Sequence, residues 1–267
     1  MDTYGILAFP AHHSLSPVMH NAGFKALGIK ASYDFFEISP EKLDDFFKKV
    51  RDKKIKGLSV STPYKQAVMP FLDSIDATAK KIGAVNTIYW DKGSLIGTNV
   101  DWIGVEKSLL EKTQIENKSV VILGAGGAAR AAIYALHKND AWPITILNRT
   151  LSKAKALAEE FNCEYGELDD FESYSPKIVI QATSAGLNKR DGVEIVSPEL
   201  LQSNMMIMEM IYNPIETRIV KDAREAGATV ITGDRMLLHQ GVAAFELWTS
   251  QKAPFSVMEE AIKKNLR

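Results

Sequence analysis

A glycine-rich turn between an apolar strand and a helix constrains this chain more than any other feature of its sequence. The turn follows the apolar run of residues 120–123 and opens a helical pattern that continues to Leu136. It reads Gly124-Ala125-Gly126-Gly127-Ala128-Ala129. Alone, this G-x-G-x-x-G/A pattern also fits a tight turn or close helix packing. In its strand–turn–helix context it predicts a dinucleotide site, with a pyrophosphate against the backbone at the helix N-terminus. The expected contacts are Gly124, Gly126, Gly127 and Ala128.

The order of elements predicts an α/β protein of two domains. Apolar runs of strand length alternate with helical patterns along the whole chain. A length of 267 residues is long for one domain and suits two. We therefore predict two domains that flank a cleft. Residues 1–101 and 236–267 form an α/β substrate domain to which the C-terminal helices return, and residues 102–235 form a Rossmann-type domain.

Local signals predict helices in the N-terminal half. Ser16 before Pro17 is typical of an N-cap followed by a first-turn proline. Thr62-Pro63 predicts another helix start and places Lys65 near a helix N-terminus, where the helix dipole disfavours positive charge. A third helix is predicted from apolar residues at helical spacing, namely Leu43, Phe46, Phe47 and Val50.

The end of the second strand after the glycine-rich turn indicates which dinucleotide is bound. An NAD enzyme usually has an acidic residue there, which accepts a hydrogen bond from the ribose 2′-hydroxyl. This chain has Asn148, Arg149 and Thr150, with Lys153 one turn into the next helix. These side chains can hold a 2′-phosphate, which a carboxylate would repel. The sequence therefore predicts NADP(H), although the two cations also fit an ordinary solvated helix start.

Composition restricts the class of protein. The 32 Lys and Arg residues nearly balance the 33 Asp and Glu residues, which argues against nucleic acid as a partner. Cys163 is the only cysteine, so no internal disulfide can form, and we interpret it as filler near a helix end. No signal peptide or membrane span is recognisable, which predicts a cytoplasmic protein. The histidines, including His12 and His13, lack metal-ligand spacing and are interpreted as packing or hydrogen-bonding residues.

Further motifs occur along nearly the whole chain. They are Tyr4-Gly5-Ile6-Leu7-Ala8-Phe9-Pro10, His13-Ser14-Leu15-Ser16-Pro17, His20-Asn21, Pro63-Tyr64-Lys65, Gly83-Ala84-Val85-Asn86-Thr87, Asn99-Val100-Asp101, Tyr212-Asn213-Pro214 and Met236-Leu237-Leu238-His239-Gln240-Gly241. With these blocks the sequence resembles the shikimate dehydrogenases of the shikimate/quinate dehydrogenase family. The resemblance implies reversible, NADPH-dependent reduction of 3-dehydroshikimate to shikimate, without a metal, by a monomer or homodimer.

The resemblance also implies roles for individual residues. Hydride addition to a ketone builds negative charge on oxygen, so the site needs a placed proton donor. Lys65 matches the catalytic lysine of the family and Asp101 the aspartate paired with it, although a single Lys is usually solvated and Asp101 could cap a helix. Ser14 and Ser16 match the pair that holds the substrate carboxylate. The other implied contacts are Ser61, Asn86, Tyr212 and Gln240 for substrate, and Thr183 and Gly233 for cofactor.

Three positions depart from the family pattern. Ser59 and Ser61 replace Asn and Thr in the lysine block, and Val100 replaces Thr before Asp101. Ser61 enlarges the pocket slightly, and Val100 loses a hydroxyl whose partner, left unpaired, would cost ~1–3 kcal/mol. A quinate or shikimate-analogue dehydrogenase of broader specificity is therefore an alternative.

Two further alternatives are more distant. Ser14, Ser16 and the Tyr212 block do not suggest a methylene-tetrahydrofolate dehydrogenase. A catalytically idle NADP-binding regulatory module would have no chemical need for both Lys65 and Asp101.

Overall fold

The chain divides into two compact units. The computed structural model describes residues 1–11, 14–52, 55–187 and 192–266. One unit comprises Met1–Asp101 with Leu238–Asn265, and the other contains Trp102–Leu237. His12 and His13, interpreted above as packing or hydrogen-bonding residues, lie outside the described residues. Each unit has its own six-stranded sheet.

The first unit has a mixed sheet. Its strands are β1 (Asp2–Ala8), β2 (Ala31–Glu37), β3 (Ile55–Val60), β4 (Ser74–Ile75), β5 (Thr87–Asp91) and β6 (Ser94–Thr98), and its first helices are α1 (Ser16–Ala26), α2 (Leu43–Arg51), α3 (Tyr64–Ala67) and α4 (Ala77–Ile82). The strand order is β2-β1-β3-β5-β6-β4, with β5 antiparallel to both β3 and β6. Thr87 pairs with Ser59 on one side and with Thr98 on the other. The segments after β3, before β5 and after β6 therefore meet at one edge of this sheet.

Apolar patterning and turn chemistry explain the elements around that edge. The four apolar residues predicted to share one face of α2 are all buried against the sheet. Lys92 and Gly93 both have positive φ, as a two-residue hairpin between β5 and β6 requires. These local features fix the register of β5 and β6 and hence the position of the residues that follow them.

The second unit has a wholly parallel sheet. Its elements are α5 (Asp101–Leu110), β7 (Val120–Leu123), α6 (Gly127–Lys138), β8 (Ile144–Leu147), α7 (Leu151–Phe161), β9 (Glu164–Gly166), β10 (Ile178–Gln181), β11 (Met206–Glu209), α8 (Arg218–Glu225) and β12 (Thr229–Ile231). The strand order is β12-β11-β10-β7-β8-β9, which is the doubly wound Rossmann order. The direction of winding reverses between β7 and β10, and ligands bind at the carboxyl edge of such a reversal point. This topology confirms the predicted Rossmann-type domain.

Both faces of the second sheet are covered by apolar side chains. Val120 and Ile122 of β7 face a cluster that includes residues of α5, α6 and α7. Val121 and Leu123 face a second cluster, which includes Ile219 of α8. Alternation along a strand buried on both sides explains why β7 reads as an unbroken apolar run.

The last two helices are α9 (Gly233–Thr249) and α10 (Phe255–Lys263). The division between the units falls within α9, and Leu238–Asn265 belongs to the first unit. A Cβ atom on Gly241 would lie 2.1 Å from Cε of Met19, and one on Gly23 would lie 2.9 Å from the ring of Phe245. The two glycines therefore allow α1 and α9 to pack closely.

Several local predictions were wrong or incomplete. The N-cap of α1 is Leu15, whose side chain makes no capping hydrogen bond, and Ser16 is the first helical residue, with its N–H donating to Ser14 Oγ. The helix predicted at Thr62-Pro63 is the single turn α3, too short to carry a sizeable dipole. Several elements had no prediction, namely β2, β4, β9, α4 and α8. Within the described residues, no helix has the length and apolar character needed to cross a membrane.

Candidate active site

A buried polar cluster lies at the edge of the first sheet where β3, β5 and β6 meet. Lys65 Nζ donates to Asp101 Oδ2 at 2.6 Å, and the two side chains are 19% and 8% exposed. Asn86 Nδ2 donates to the other carboxylate oxygen of Asp101 at 2.8 Å. The structure thus brings together three of the residues that the family resemblance implies, from three separate segments.

The backbone around this cluster is held by hydrogen bonds. Asn86 Oδ1 accepts from the Val100 N–H at 2.7 Å, and Asn99 Oδ1 accepts from the Asp101 N–H at 2.9 Å. The Lys65 carbonyl accepts from the Val85 N–H at 2.7 Å. The Asp101 carboxylate is therefore engaged by two side chains at the start of α5, which favours a role in the site over simple capping.

The remaining predicted substrate residues are more dispersed. Ser61 lies between β3 and α3, and its carbonyl accepts from the Tyr64 N–H at 2.8 Å. Ser14 Oγ accepts from the Ser16 N–H at 3.1 Å, so this pair is joined through the backbone. Gln240 is buried in the part of α9 that belongs to the first unit, whereas Tyr212 belongs to the second unit, after β11.

In the glycine-rich turn of the second unit, the structure explains two of the glycines differently. Gly124 has φ +112°, and a Cβ atom there would lie 3.0 Å from the Ala182 carbonyl oxygen, so the fold itself needs glycine. Gly126 has φ −100°, and a Cβ atom there would meet no protein atom within 4 Å. The space beside Gly126 lies at the start of α6, where free N–H groups favour an anion. The turn thus fits a pyrophosphate.

The predicted 2′-phosphate residues lie at the end of β8. Asn148 Nδ2 donates to the Thr150 carbonyl at 2.9 Å and shapes the turn into α7. Arg149, Thr150 and Lys153 are exposed. Within the described part of the chain, neither Arg149 nor Lys153 pairs with a carboxylate. Two adjacent cations without protein partners fit a phosphate ligand.

Thr183 and Gly233, the last two predicted cofactor contacts, also lie near this carboxyl edge. Thr183 lies two residues after β10, and its Oγ1 accepts from the Ala185 N–H at 3.1 Å. A Cβ atom on Gly233 would lie 2.4 Å from the Ile211 carbonyl oxygen. Packing within the unit therefore requires glycine at 233, and its contact with cofactor stays a prediction.

The sequence analysis missed Glu209, which ends β11 and is fully buried. Its carboxylate accepts from the Ile211 N–H at 2.8 Å and from Thr217 Oγ1 at 2.7 Å. Burial raises the pKa of Glu209 to about 7, while hydrogen bonds from Ile211, Thr217, Met210 and Gln181 lower it. The sequence feature that could have identified Glu209 is a glutamate at the end of a strand whose other residues are apolar and buried.

Other reactive groups do not form a second centre in the described part of the chain. No group of three or more His, Cys, Asp or Glu side chains there could hold a metal ion. Burial raises the pKa of the Cys163 thiol to about 11, so it is not a thiolate at neutral pH.

Comparison with known proteins identifies the family. A family model described as the shikimate dehydrogenase substrate binding domain matches residues 6–88, one described as shikimate / quinate 5-dehydrogenase matches residues 106–218, and one described as the shikimate 5'-dehydrogenase C-terminal domain matches residues 235–263. A relative from Methanothermobacter thermautotrophicus, named shikimate dehydrogenase (NADP(+)), is 42% identical over 98% of this chain and 96% of its own. The chain belongs to the shikimate dehydrogenase family.

Solved structures of shikimate dehydrogenases agree with the fold. A crystal structure of one in complex with NADP+ has a TM-score of 0.95 and 39% identity, covering 100% of this chain and 96% of the other. Another, from Thermus thermophilus in complex with NADP(H) and shikimate, has a TM-score of 0.91 and 34% identity and covers 100% of both chains. The family resemblance and the α/β fold class inferred from the sequence are therefore confirmed.

Proposed function

We propose that this chain catalyses the reversible, NADPH-dependent reduction of 3-dehydroshikimate to shikimate. The observation that carries the proposal is the Lys65–Asp101 pair, a charged hydrogen bond of 2.6 Å at a polar edge of the first unit. Family membership, with relatives named shikimate dehydrogenase (NADP(+)), supports this substrate and cofactor. A regulatory module that binds NADP without catalysing a reaction would have no chemical need for such a pair.

In the proposed reaction, residues of the first unit donate the proton to the substrate oxygen and accept it in the reverse direction. NADPH, when bound, would supply the hydride that the carbonyl carbon accepts. Lys65 donates a proton to the carbonyl oxygen, which becomes the hydroxyl, and in the reverse direction its neutral amine accepts that proton. Asp101 orients the Lys65 ammonium and accepts from a substrate hydroxyl, while Asn86 holds the second carboxylate oxygen in place.

Polar side chains on the first unit would bind the rest of the substrate. Ser14 and Ser16, linked through the Ser16 N–H, supply donors for the carboxylate. Ser61 and Gln240 supply donors and acceptors that suit a polyol, and Tyr212 is the remaining substrate contact that the family resemblance implies. Ser61 favours a second candidate, quinate, because serine lacks the methyl group of threonine and leaves room for an additional ring substituent, while Val100 keeps the shape of threonine and removes only its hydroxyl.

Residues of the second unit would bind NADP(H). Gly124, Gly126, Gly127 and Ala128 would hold the pyrophosphate; Asn148, Arg149, Thr150 and Lys153 would hold the 2′-phosphate; and Thr183 and Gly233 would contact the remaining half. We accordingly assign substrate binding and catalysis to Met1–Asp101 with the C-terminal helices, and cofactor binding to Trp102–Leu237. We expect a cytoplasmic enzyme, monomeric or homodimeric, whose partners are these small molecules.

The first experiment measures reduction of NADP+ at 340 nm with shikimate and with quinate in parallel, each repeated with NAD+. Turnover confined to shikimate with NADP+ supports the proposal and shows that Ser61 and Val100 are tolerated. Turnover with quinate instead would replace the proposed substrate by the second candidate. Absence of turnover with both substrates would overturn the proposed reaction.

The second experiment tests the cofactor assignment with Arg149→Ala. Loss of a charged hydrogen bond to phosphate should lower kcat/KM for NADP+ by about 10–100-fold and leave the low value for NAD+ unchanged. Lys155→Ala is the matched control, because Lys155 lies on α7, the helix that follows Arg149, and pairs with Glu159 at 3.8 Å. Equal effects of the two variants on NADP+ would argue against a 2′-phosphate site at Arg149.

A further inference from the structure

Two buried polar side chains end neighbouring strands at the carboxyl edge of the second sheet. Gln181 ends β10, Glu209 ends β11, and both are fully buried. The two residues pair across the strands, and the Gln181 side chain lowers the pKa of the Glu209 carboxylate, so the two side chains interact. Polar groups buried this deeply are retained where they are fully hydrogen-bonded, and their loss leaves unpaired partners.

Each side chain holds the loop that follows its own strand. Gln181 Oε1 accepts from the Thr183 N–H, and Gln181 Nε2 donates to the Ala185 carbonyl at 3.1 Å. Glu209 accepts from the Ile211 N–H and from the Thr217 hydroxyl, so it spans the loop between β11 and α8. One connected network therefore sets the shape of both loops.

These loops lie on one side of the glycine-rich turn. A doubly wound sheet binds the two halves of a dinucleotide on opposite sides of its reversal point. The 2′-phosphate residues after β8 are on one side of β7, and the loops after β10 and β11 are on the other. The second pair of loops is therefore on the nicotinamide side, and Gly124 already packs against Ala182 of the first of them.

We propose that Glu209 is a positioning residue for the nicotinamide half of NADP(H), acting through the loops that carry Thr183 and Tyr212. The proposal rests on the proposed function of the chain as an NADP-dependent enzyme. Glu209 does not need to touch the cofactor, because its carboxylate acts by fixing the backbone at Ile211 and, through Gln181, at Thr183. The adenosine half depends on residues after β8 that share no bond with this network among the described residues.

The test compares binding of NADP+ and of 2′,5′-ADP, the fragment that lacks the nicotinamide half, to Glu209→Gln in the full-length chain. The amide nitrogen that replaces one carboxylate oxygen cannot accept a hydrogen bond, so either the Ile211 N–H loses its acceptor or the Thr217 hydroxyl has to change from donor to acceptor. We expect the Kd for NADP+ to rise about tenfold and that for 2′,5′-ADP to stay within about twofold. The KM for NADP+ should rise, and the KM for the alcohol substrate should not.

Three further variants keep the test decisive. Glu209→Asp keeps the charge but shortens the reach, so it should weaken NADP+ by about threefold. Thr217→Val keeps the shape and removes one donor, and it should show the same selective weakening. Glu106→Gln is the matched control: Glu106 is buried in the same unit but bonds to Lys138 and Asn139, at the far end of α6 from the glycine-rich turn. It should leave both ligands unchanged.

The outcomes separate this inference from the proposed function. Selective weakening of NADP+ by Glu209→Gln, or by Thr217→Val if the first variant does not fold, supports the positioning role. Unchanged NADP+ binding, or equal weakening of both ligands, overturns it while the proposed function stands. A wild-type chain that binds neither nucleotide overturns both.

Discussion

Lys65 and Asp101 carry opposite charges at a place with little access to water. Removing one partner of a buried pair leaves the other charge without compensation, at a cost of about 3–5 kcal/mol. Asn86 still donates to Asp101 when Lys65 is replaced, so the carboxylate keeps one partner. Variants with a neutral side chain of similar shape therefore separate the effect on catalysis from the effect on the free energy of unfolding.

Lys65→Met should lower kcat for the oxidation of shikimate by about 10²–10⁴-fold, because no group is left to accept the proton of the hydroxyl. Asp101→Asn should lower kcat by at least ~10²-fold, because the amide cannot stabilise the ammonium. The Kd of NADP+, measured by fluorescence titration, should not change. Lys138→Met, which breaks the pair with Glu106, is the control and should retain kcat. Full turnover by Lys65→Met would remove Lys65 from the mechanism.

His20 is a buried titratable residue outside the proposed reaction. It is fully buried, it stacks on Tyr33 with 4.4 Å between ring centroids, and Phe245 and Trp248 also contact it. Neither ring nitrogen has a hydrogen-bond partner among the described residues. Burial lowers the pKa of His20 to about 3. The folded chain therefore holds a neutral imidazole that the unfolded chain protonates readily.

This difference predicts an acid-dependent loss of stability. The pKa of histidine in the unfolded chain is about 6.5, so the unfolded state binds an additional proton as pH falls below that value. The free energy of unfolding should then decrease by up to ~1.4 kcal/mol per pH unit between pH 6.5 and about 3. His20→Phe should remove this component. Urea denaturation of both proteins at pH 7 and pH 5 measures it, and equal losses in the two would contradict the assignment to His20.

The strand–turn–helix element from β7 to α6 contains two glycines with different roles, one in the stability of the fold and one in cofactor binding. Gly124→Ala puts a side chain at positive φ and against the Ala182 carbonyl, so it should destabilise the fold by about 1–3 kcal/mol. Gly126→Ala adds a methyl group to open space. It should leave the Tm unchanged and weaken NADP+ at least tenfold, because the methyl occupies the place of the pyrophosphate.

Calorimetry and NADP+ titration of both variants distinguish these effects. Gly124→Ala should lower the Tm of the free protein, and Gly126→Ala should lower only the stabilisation that NADP+ confers. If Gly126→Ala bound NADP+ as well as the wild type does, the pyrophosphate would not lie at this turn.

Elements with strong local patterns were predictable from the sequence, and elements defined by their partners were not. The β7 strand spans the predicted residues 120–123, and α6 follows the glycine-rich turn as predicted, because both combine a clear apolar pattern with clear boundaries. By contrast, β2 is an edge strand of mixed polarity that pairs with β1, and α8 has few apolar residues. Their structure depends on the sheets they join.

The candidate site likewise contains residues that the sequence predicts and residues that it does not. Lys65 and Asp101 stand in recognisable motifs, and the structure joins them. Glu209 went unnoticed because its significance comes from burial and from four hydrogen bonds, which no local pattern encodes. Ser16 was taken for an N-cap because Ser before Pro is a common start signal, whereas the helix already includes it.

At the scale of the whole molecule, the two units differ in how the chain builds them. The second unit consists almost entirely of the segment Trp102–Leu237, which contains both apolar clusters of its own sheet, including Met236 at the start of α9. The first unit needs two segments. Trp248 of α9 donates to the Ile88 carbonyl at 3.0 Å and packs on Gly57, so residues 1–101 lack part of their own core.

The isolated fragment 102–237 should therefore fold on its own, whereas the fragment 1–101 should not. We expect 102–237 to unfold cooperatively in urea and to bind 2′,5′-ADP with nearly the affinity of the full chain, because the glycine-rich turn and Arg149 lie within it. Without α9 and α10, fragment 1–101 exposes the surfaces of Gly23 and Gly57 that these helices cover, so its amide NMR spectrum should show poor dispersion. Adding a synthetic peptide of residues 238–265 should restore dispersion to 1–101 and have no effect on 102–237. A fragment 102–237 that is unfolded, or that binds no 2′,5′-ADP, would show that the cofactor unit depends on the rest of the chain.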